Sequence, residues 1–374
     1  MTRQALEVND TEATARLYMA LELSSGKWKV AIGDHRRSPS QHSVNAGEAP
    51  ALLEVIERAK KRCKLNGPVR VVSCYEAGRD GFWLHRWLVD HGVENLVVDS
   101  SSIEVNRRQR RAKSDQLDAD KLYEMLGRYV RGERRLWQVV RVPTVGEEDA
   151  RRPHRERERL KRERNAHLNR ICSLALLHNE RLHRYGDLRA QIEALEERLP
   201  SALRNELLRE CERLQLIDRQ LRELNAAIET QLKSLLEQGG PLAALLKLRS
   251  IGIRSAWILV HELFGWRRFN NRRELAGCVG LTPTPYDSGN STREQGISKA
   301  GNRRLRALLV ELAWLWLRHQ PQSALSVWFG KRFAGGGKRM RRVGIVAMAR
   351  RLLVALWRYL QDGVVPDGAR LKAA

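Results

Sequence analysis

The sequence predicts a mixed architecture, an α/β domain followed by all-α segments, and three observations predict it. Short β-branched runs alternate with helical periodicity only up to about residue 142. From Thr144 to Gln238 those runs vanish, and Arg, Glu, Lys and Leu dominate at helical spacing. Gly239-Gly240-Pro241 then punctuates the chain ahead of a third, largely helical stretch. The domains expected are therefore 12–142, 143–238 and 239–362.

Taken in order, Leu17–Leu23 reads as a strand, Ser24–Lys27 as a turn and Trp28–Ile32 as the hairpin partner. Gln41–Asn45 is a third strand, and Glu48–Cys63 has helical spacing. Pro68–Tyr75 is a buried strand, Gly81–His91 a helix, Asn95–Asp99 a strand and Ser114–Tyr129 a helix. Three strands, helix, strand, helix, strand, helix is the order of a ribonuclease H-like domain. In the middle segment, Leu208, Leu214, Ile217, Leu221 and Leu224 keep helical spacing among charges, which points to long exposed helices forming a hairpin or coiled coil. In the last segment, LLKLRSIGIRSAWIL places a glycine turn between apolar helices, similar to a helix-hairpin-helix element. Two prolines, Asp287-Ser288-Gly289 and Gly296 predict a loop ahead of a helix starting near Gly301.

Charge narrows the partners. Sixty-eight Lys and Arg against 44 Asp and Glu leave a net charge of +24, a self-repulsion that a polyanion offsets. The basic residues recur along the whole chain and form no single amphipathic anchor, so nucleic acid is favoured over a membrane surface. Five scattered cysteines without C-x-x-C spacing argue against a zinc ribbon or a disulfide framework. The first residues show no basic-then-apolar leader pattern, and the expected location is cytoplasmic, in association with the nucleoid.

Four carboxylates stand where metal chemistry would need them. Glu22 ends the first strand, Glu76 ends the fourth, and Asp115 and Asp118 open the last helix three residues apart. Crowded carboxylates repel, and a hard cation removes the conflict. Taken singly, Glu22 and Glu76 are solvated loop residues at strand ends, and the structural alternative for Asp115 with Asp118 is an N-cap and its box partner. Arg107, Arg108, Arg110, Arg111 and Lys113 precede Asp115 and suit a phosphate backbone. Across 151–170, nine basic residues, Arg155, Arg159 and Arg162 among them, face three glutamates. A salt-bridged exposed helix accounts for some of that charge and nucleic acid for the remainder. Ser288, Ser291 and Ser298 are equally eligible as an accessible hydroxyl, with Arg293, Lys299, Arg303, Arg304 and Arg306 near enough to neutralise a phosphate. No histidine spacing supports a Ser-His-Asp hydrolase.

The blocks YMALELSS, VVSCYEAG, KSDQLDADKL and AGCVGLTPTPYDSGNSTREQGISKAGNRRLR, in that order, resemble the DEDD-type insertion-sequence transposases of family one-ten, which are bridge-RNA-guided recombinases. The last block is similar to that family's GLTP…SG…SKAGN…LR pattern. The resemblance implies a RuvC-like first domain, a coiled-coil middle and a C-terminal transposase domain. It implies Mg²⁺, or Mn²⁺, held by Glu22, Glu76, Asp115 and Asp118, and it selects Ser288 as the nucleophile. The expected partners are element and target DNA, a structured guide RNA and further copies of the chain in a homodimer or homotetramer. This chain has Glu22 where the family commonly has Asp, and it lacks a glycine after Gly252. The competing readings are a hydrolytic metal-dependent endonuclease of the Holliday-junction type and a non-catalytic nucleic-acid scaffold.

Overall fold

The computed structural model of the chain describes residues 15–103, 115–288 and 291–372. It divides into two compact units, 1–143 and 144–374. The first is a mixed sheet with helices on both faces. Its strands are β1 (Ala15–Glu22), β2 (Lys27–Gly33), β3 (Ser40–Asn45), β4 (Val69–Glu76) and β5 (Glu94–Val98), in the order β3-β2-β1-β4-β5. β1 to β3 form an antiparallel meander; β4 and β5 join β1 in parallel. The parallel strands need crossovers, and α1 (Pro50–Arg62) and α2 (Trp83–Asp90) supply them.

Alternation along β1 explains why its apolar run is continuous. Leu17, Met19 and Leu21 pack into the core that holds Leu52 and Ile56 of α1 and Leu84 and Leu88 of α2. Tyr18 and Ala20 face the opposite core, with Ala119, Leu122, Tyr123 and Leu126 of α3 (Asp115–Val130). Both faces are covered, so every residue from Leu17 to Leu21 is buried. The even-numbered residues of β4, Val72 and Cys74, likewise lie on the α3 side.

The second unit is mostly helical. It contains α4 (Val145–Asp149), α5 (Arg152–Leu176), α6 (Leu188–Glu193), α7 (Ser201–Glu237), α8 (Pro241–Lys247) and α9 (Ile253–Leu259). A π-helical turn, Val260–Phe264, continues α9, and α10 (Arg272–Cys278) follows. Next come β6 (Pro283–Ser288), β7 (Ser291–Ile297), α11 (Arg303–His319), α12 (Ala324–Phe333) and α13 (Lys338–Asp362). α5 and α7 form an antiparallel hairpin: Arg157 reaches Asn225, Arg164 reaches Asp218, and Arg170 reaches Glu210. Leu160 packs with Ile217 and Leu221 between those polar ties. At 37 residues α7 is roughly 55 Å long. Among the described residues, no helix is long and apolar enough to cross a membrane.

Two local expectations change. Residues 283–288 and 291–297 pair as two antiparallel strands where a loop is expected. Pro283 and Pro285 argue against a strand only where a ladder needs their missing N–H, and each strand of a two-stranded sheet has an open edge. In the turn between α8 and α9, Gly252 is extended at φ −86°, while Ser250 takes the left-handed conformation at φ 98°. Glycine is required elsewhere. Gly301 has φ +75°, and a Cβ there would lie 2.2 Å from the Cys278 carbonyl oxygen; at Gly280, φ +68°, it would lie 2.0 Å from that of Ala300. These glycines let the segment before α11 cross the segment after α10. Lys299 N donates to Gly280 O, Asn302 N to Cys278 O and Ser298 N to Thr282 O.

Gly301→Ala is expected to destabilise the protein by about 2–3 kcal/mol or more, since it meets both the left-handed backbone and the carbonyl. Gly252→Ala, with an extended backbone and open space at the Cβ position, should change stability by roughly 0.5 kcal/mol or less. Denaturant unfolding of both variants checks the contrast, and equal effects would refute it.

Candidate functional site

In the first unit, β1 and β4 are parallel neighbours in register, with Leu21 beside Tyr75. Glu22 and Glu76 therefore end adjacent strands at the same edge of the sheet. Counting by twos from Ala20 and Cys74 puts both carboxylates on the α3 side. They line one cavity of about 410 Å³, together with Ser24, Asp80 and Ser100. Beneath them, Cys74 is fully buried, and burial, followed by the Glu76 charge, pushes its thiol well up. Cys74 is thus an inert part of the floor, not a nucleophile.

α3 runs back across this face. Tyr123 Oη accepts from His35 N at 3.0 Å, and Cys74 Sγ contacts Leu122 O at 3.9 Å. His35 follows β2, at the end of the sheet where β1 begins. The start of α3 consequently lies toward the ends of β1 and β4 that carry Glu22 and Glu76. Asp118 stands one turn before Leu122, roughly 6 Å along the helix. Glu76 is two residues beyond Cys74, roughly 6.6 Å in the same direction. Asp118 thus shares the sheet face and the sheet end with the two glutamates, although it does not line the cavity. Asp115 is the first residue of α3; its side chain lies outside the description, as do Arg107, Arg108, Arg110, Arg111 and Lys113 altogether.

Asp80 escaped the sequence reading. It lies in the loop after β4, where Ala77 N donates to Val98 O at 2.7 Å and Tyr75 Oη donates to Gly81 O at 3.3 Å. Those two bonds fold the loop over the cavity, and Arg79 pairs with Asp80 at 3.7 Å. The signal was an acid four residues after Glu76 in EAGRDG. Glu22, Glu76 and Asp80 put carboxylate oxygens around one open space, which suits a hard divalent cation. Among the described residues, no three acids, histidines or cysteines are close enough to form a ready metal cage.

In the second unit, Ser288 is the last residue of β6 and pairs with Ser291 at the turn end of the hairpin. Side chains of residues 285–294, Arg293 included, lie outside the description. The base of the hairpin is held by Arg306, which donates to Val279 O at 2.9 Å and Ala300 O at 3.2 Å. Arg306 therefore clamps the base of the hairpin through one guanidinium nitrogen. Asn302 caps α11 by accepting from Arg304 N and Leu305 N, and its amide donates to Glu262 at 3.0 Å.

Glu262, on the π-helical turn, is 2% exposed. His154 Nε2 lies 2.7 Å from Oε1, and Arg155 reaches both oxygens at 2.6 and 2.7 Å. Arg304 stands 3.8 Å away and also pairs with Glu158. Burial by itself would raise the Glu262 carboxyl. Hydrogen bonds from Arg155 and His154 outweigh it and hold the group well below the ordinary value of 4.5. The expected surplus of unpaired charge on α5 is smaller than local counting implies, because distant acids, Glu262, Asp218 and Glu210, take Arg155, Arg164 and Arg170. Arg159 has only a 3.8 Å contact with Glu163, and Arg162, Lys299 and Arg303 are exposed.

The sequence model described as the transposase IS116/IS110/IS902 family matches residues 242–327, from α8 through the hairpin into α12. The chain is 41% identical to y4rJ of Sinorhizobium fredii, named as a transposase, over 95% of this chain and 94% of that one. Similarity to y4qE of the same organism is 28% over 82% and 73%. The transposase for insertion sequence element IS1111A of Coxiella burnetii is 27% identical over 55% and 56%.

Glu262 also predicts a pH signature. Its folded value lies below its unfolded one, so its contribution is complete above about pH 4.5 and is lost as pH falls toward the folded value. Glu262→Gln should cost about 3 kcal/mol at neutral pH. Below pH 4.5 the gap to the parent should close by about 1.4 kcal/mol per pH unit. Denaturant titrations between pH 7 and 3 read this directly; a constant gap would show that the carboxylate is not held in its charged form.

Proposed function

This chain belongs to the IS116/IS110/IS902 family of transposases, DNA-cutting and joining enzymes, and on that premise we propose that it transfers strands through Ser288 with help from an acidic, metal-holding site. Glu22 and Glu76 carry the reading, as two carboxylates at adjacent parallel strand ends, on one sheet face, beside a cavity. The strand order β3-β2-β1-β4-β5, antiparallel then parallel, supports a ribonuclease H-like and RuvC-like assignment for the first unit.

In this reaction the Ser288 hydroxyl oxygen bonds to a DNA phosphorus while the bond from phosphorus to the leaving sugar oxygen breaks. The serine proton leaves to solvent or a nearby base, and the sugar oxygen takes up a proton. A second DNA hydroxyl then attacks the phosphoserine and releases Ser288, so the bond energy is conserved without a high-energy cofactor. Glu22, Glu76, Asp115 and Asp118 are the residues that would hold Mg²⁺ or Mn²⁺, and a bound divalent ion supplies positive charge for the phosphoryl oxygens. Asp80, across the cavity, is a further oxygen donor to the same space. Hydroxyl and acids belong to different units of the chain, and the chemistry requires both at one phosphate, within one chain or among protomers of a homodimer or homotetramer.

Arg159, Arg162, Lys299 and Arg303 are assigned to phosphate contacts because they are exposed and carry little internal pairing. Arg155 and Arg304 have most of their charge balanced by Glu262 and Glu158, and their share of phosphate binding is correspondingly smaller. The net charge of +24 supports a second polyanion beside DNA, a structured RNA encoded by the element that selects sequence by base pairing.

Incubation with DNA carrying element ends and Mg²⁺, resolved on a denaturing gel, should show a covalent protein–DNA adduct. Ser288→Ala should remove it, and Glu76→Gln or Asp118→Asn should lower its yield by roughly a hundredfold or more. Cutting that persists without adduct in Ser288→Ala would instead identify hydrolysis by the acids alone, as in a junction endonuclease. Adduct formation unaffected by either acid variant would remove the metal site from the reaction.

A further inference from the structure

The C-terminal helices carry a one-sided charge that neither the acidic site nor the hairpin uses. Between Glu311 and Asp362 the sequence has ten Lys and Arg and no acid. α13 spends one face on the core, through Ile345, Met348, Leu352 and Leu356. Its other face alternates arginine with small apolar residues and lines a groove of about 1400 Å³, shared with α12, the start of α10 and the base of β7. Arg342, Arg350 and Arg358 all line that groove, over roughly 24 Å of the helix. Among the described residues no ion pair engages them. Arg272 and Arg273 approach from α10, and burial together with these like charges pulls the Arg350 guanidinium downward. Such a cluster destabilises the fold until an anion enters.

The floor identifies the form of that anion. Trp328, Val346 and Val354 line it, and Met340 and Val343 are 48% and 51% exposed. A duplex keeps the faces of its bases stacked inside and shows only their edges in the grooves, whereas a single strand offers unstacked base faces, which pair an apolar floor with a basic rim. Pro283, Gln295, Gly296 and Lys299 also line the groove, so it reaches the base of the hairpin whose turn end bears Ser288. We propose that this groove binds single-stranded DNA, with phosphates along Arg342, Arg350 and Arg358 and bases against the exposed Met340 and Val343, beside the Trp328 ring that the Arg351 guanidinium covers at 4.0 Å. The choice of DNA over RNA rests on the strand-transfer reading above; the groove itself does not.

Fluorescence anisotropy of the full-length protein with an oligothymidylate of about 20 nucleotides, a duplex of equal length and the matching oligouridylate tests this at about 0.1 M salt. Arg342→Gln/Arg350→Gln should weaken the thymidylate roughly tenfold, lower its log–log salt slope by about 1.4, and weaken the duplex less than threefold. Arg342→Lys/Arg350→Lys should retain most of the affinity. Independently of any variant, photocrosslinking of iododeoxyuridine-substituted strand to the parent protein should label a peptide within 325–358. Unchanged thymidylate affinity, an equal loss for the duplex, tenfold tighter binding of the uridylate, or crosslinks confined to other segments would each overturn the proposal. Ser288→Ala should still bind the strand. Loss of adduct with intact groove binding would count against the serine chemistry alone, and the reverse pattern against the groove alone.

Discussion

The second unit is organised around a buried negative charge in a protein with a large positive excess. Glu262 meets His154 and Arg155 from α5, Asn302 from the cap of α11 and, at longer range, Arg304. A carboxylate this deeply buried is tolerated only when hydrogen bonds and countercharge replace the water it has lost. Those partners come from segments more than a hundred residues upstream and forty downstream, so forming the cluster fixes three parts of the unit together. Asn302 transmits the constraint further, since its backbone N–H is bonded to Cys278 O and its side chain caps α11. The crossing that Gly280 and Gly301 permit is thereby locked, and the β6–β7 hairpin is anchored at its base. The position of Ser288 descends from Glu262 through that chain of contacts.

Internal pairing of this kind lets a chain with net charge +24 hold together. Its helical hairpin spends arginines on internal acids, with Glu210 alone engaging His167, Arg170 and Arg213. Exposed pairs of this kind contribute little singly, but the buried acids at their centres cannot do without them. The cations left over are sorted by location. α5 keeps a few on its outer side, and α13 keeps a whole face of them opposite its core face.

In the first unit the corresponding constraint is geometric. Parallel pairing of β1 with β4 brings two strand ends side by side, and the two-residue repeat sends Glu22 and Glu76 to one face. The direction of α3 then decides which end of the sheet receives Asp118. Carboxylates gathered this way repel one another, and the loop bearing Asp80 adds a further negative group to the cavity they share.

Local pattern alone settled much of this. Eight elements of the first unit, the long charged helices and the carboxylates at strand ends follow from periodicity and residue type, which act over a few neighbours. The resemblance in the AGCVGL…SKAGNRRLR block singled out Ser288, a choice that local chemistry left open among three serines. The hairpin at 283–297 was missed because prolines report on local donors and not on which edge of a strand is free. Asp80 was missed because a single acid in a loop has no period. The Arg face of α13 was missed, because only packing shows that one side of that helix is core and the other open. Pairing of Arg155 with Glu262, or of Arg164 with Asp218, joins residues distant in the chain. Such partners are chosen by the shape of the folded molecule, because charge acts through space and burial sets its strength, and neither distance nor burial is written in the order of the residues.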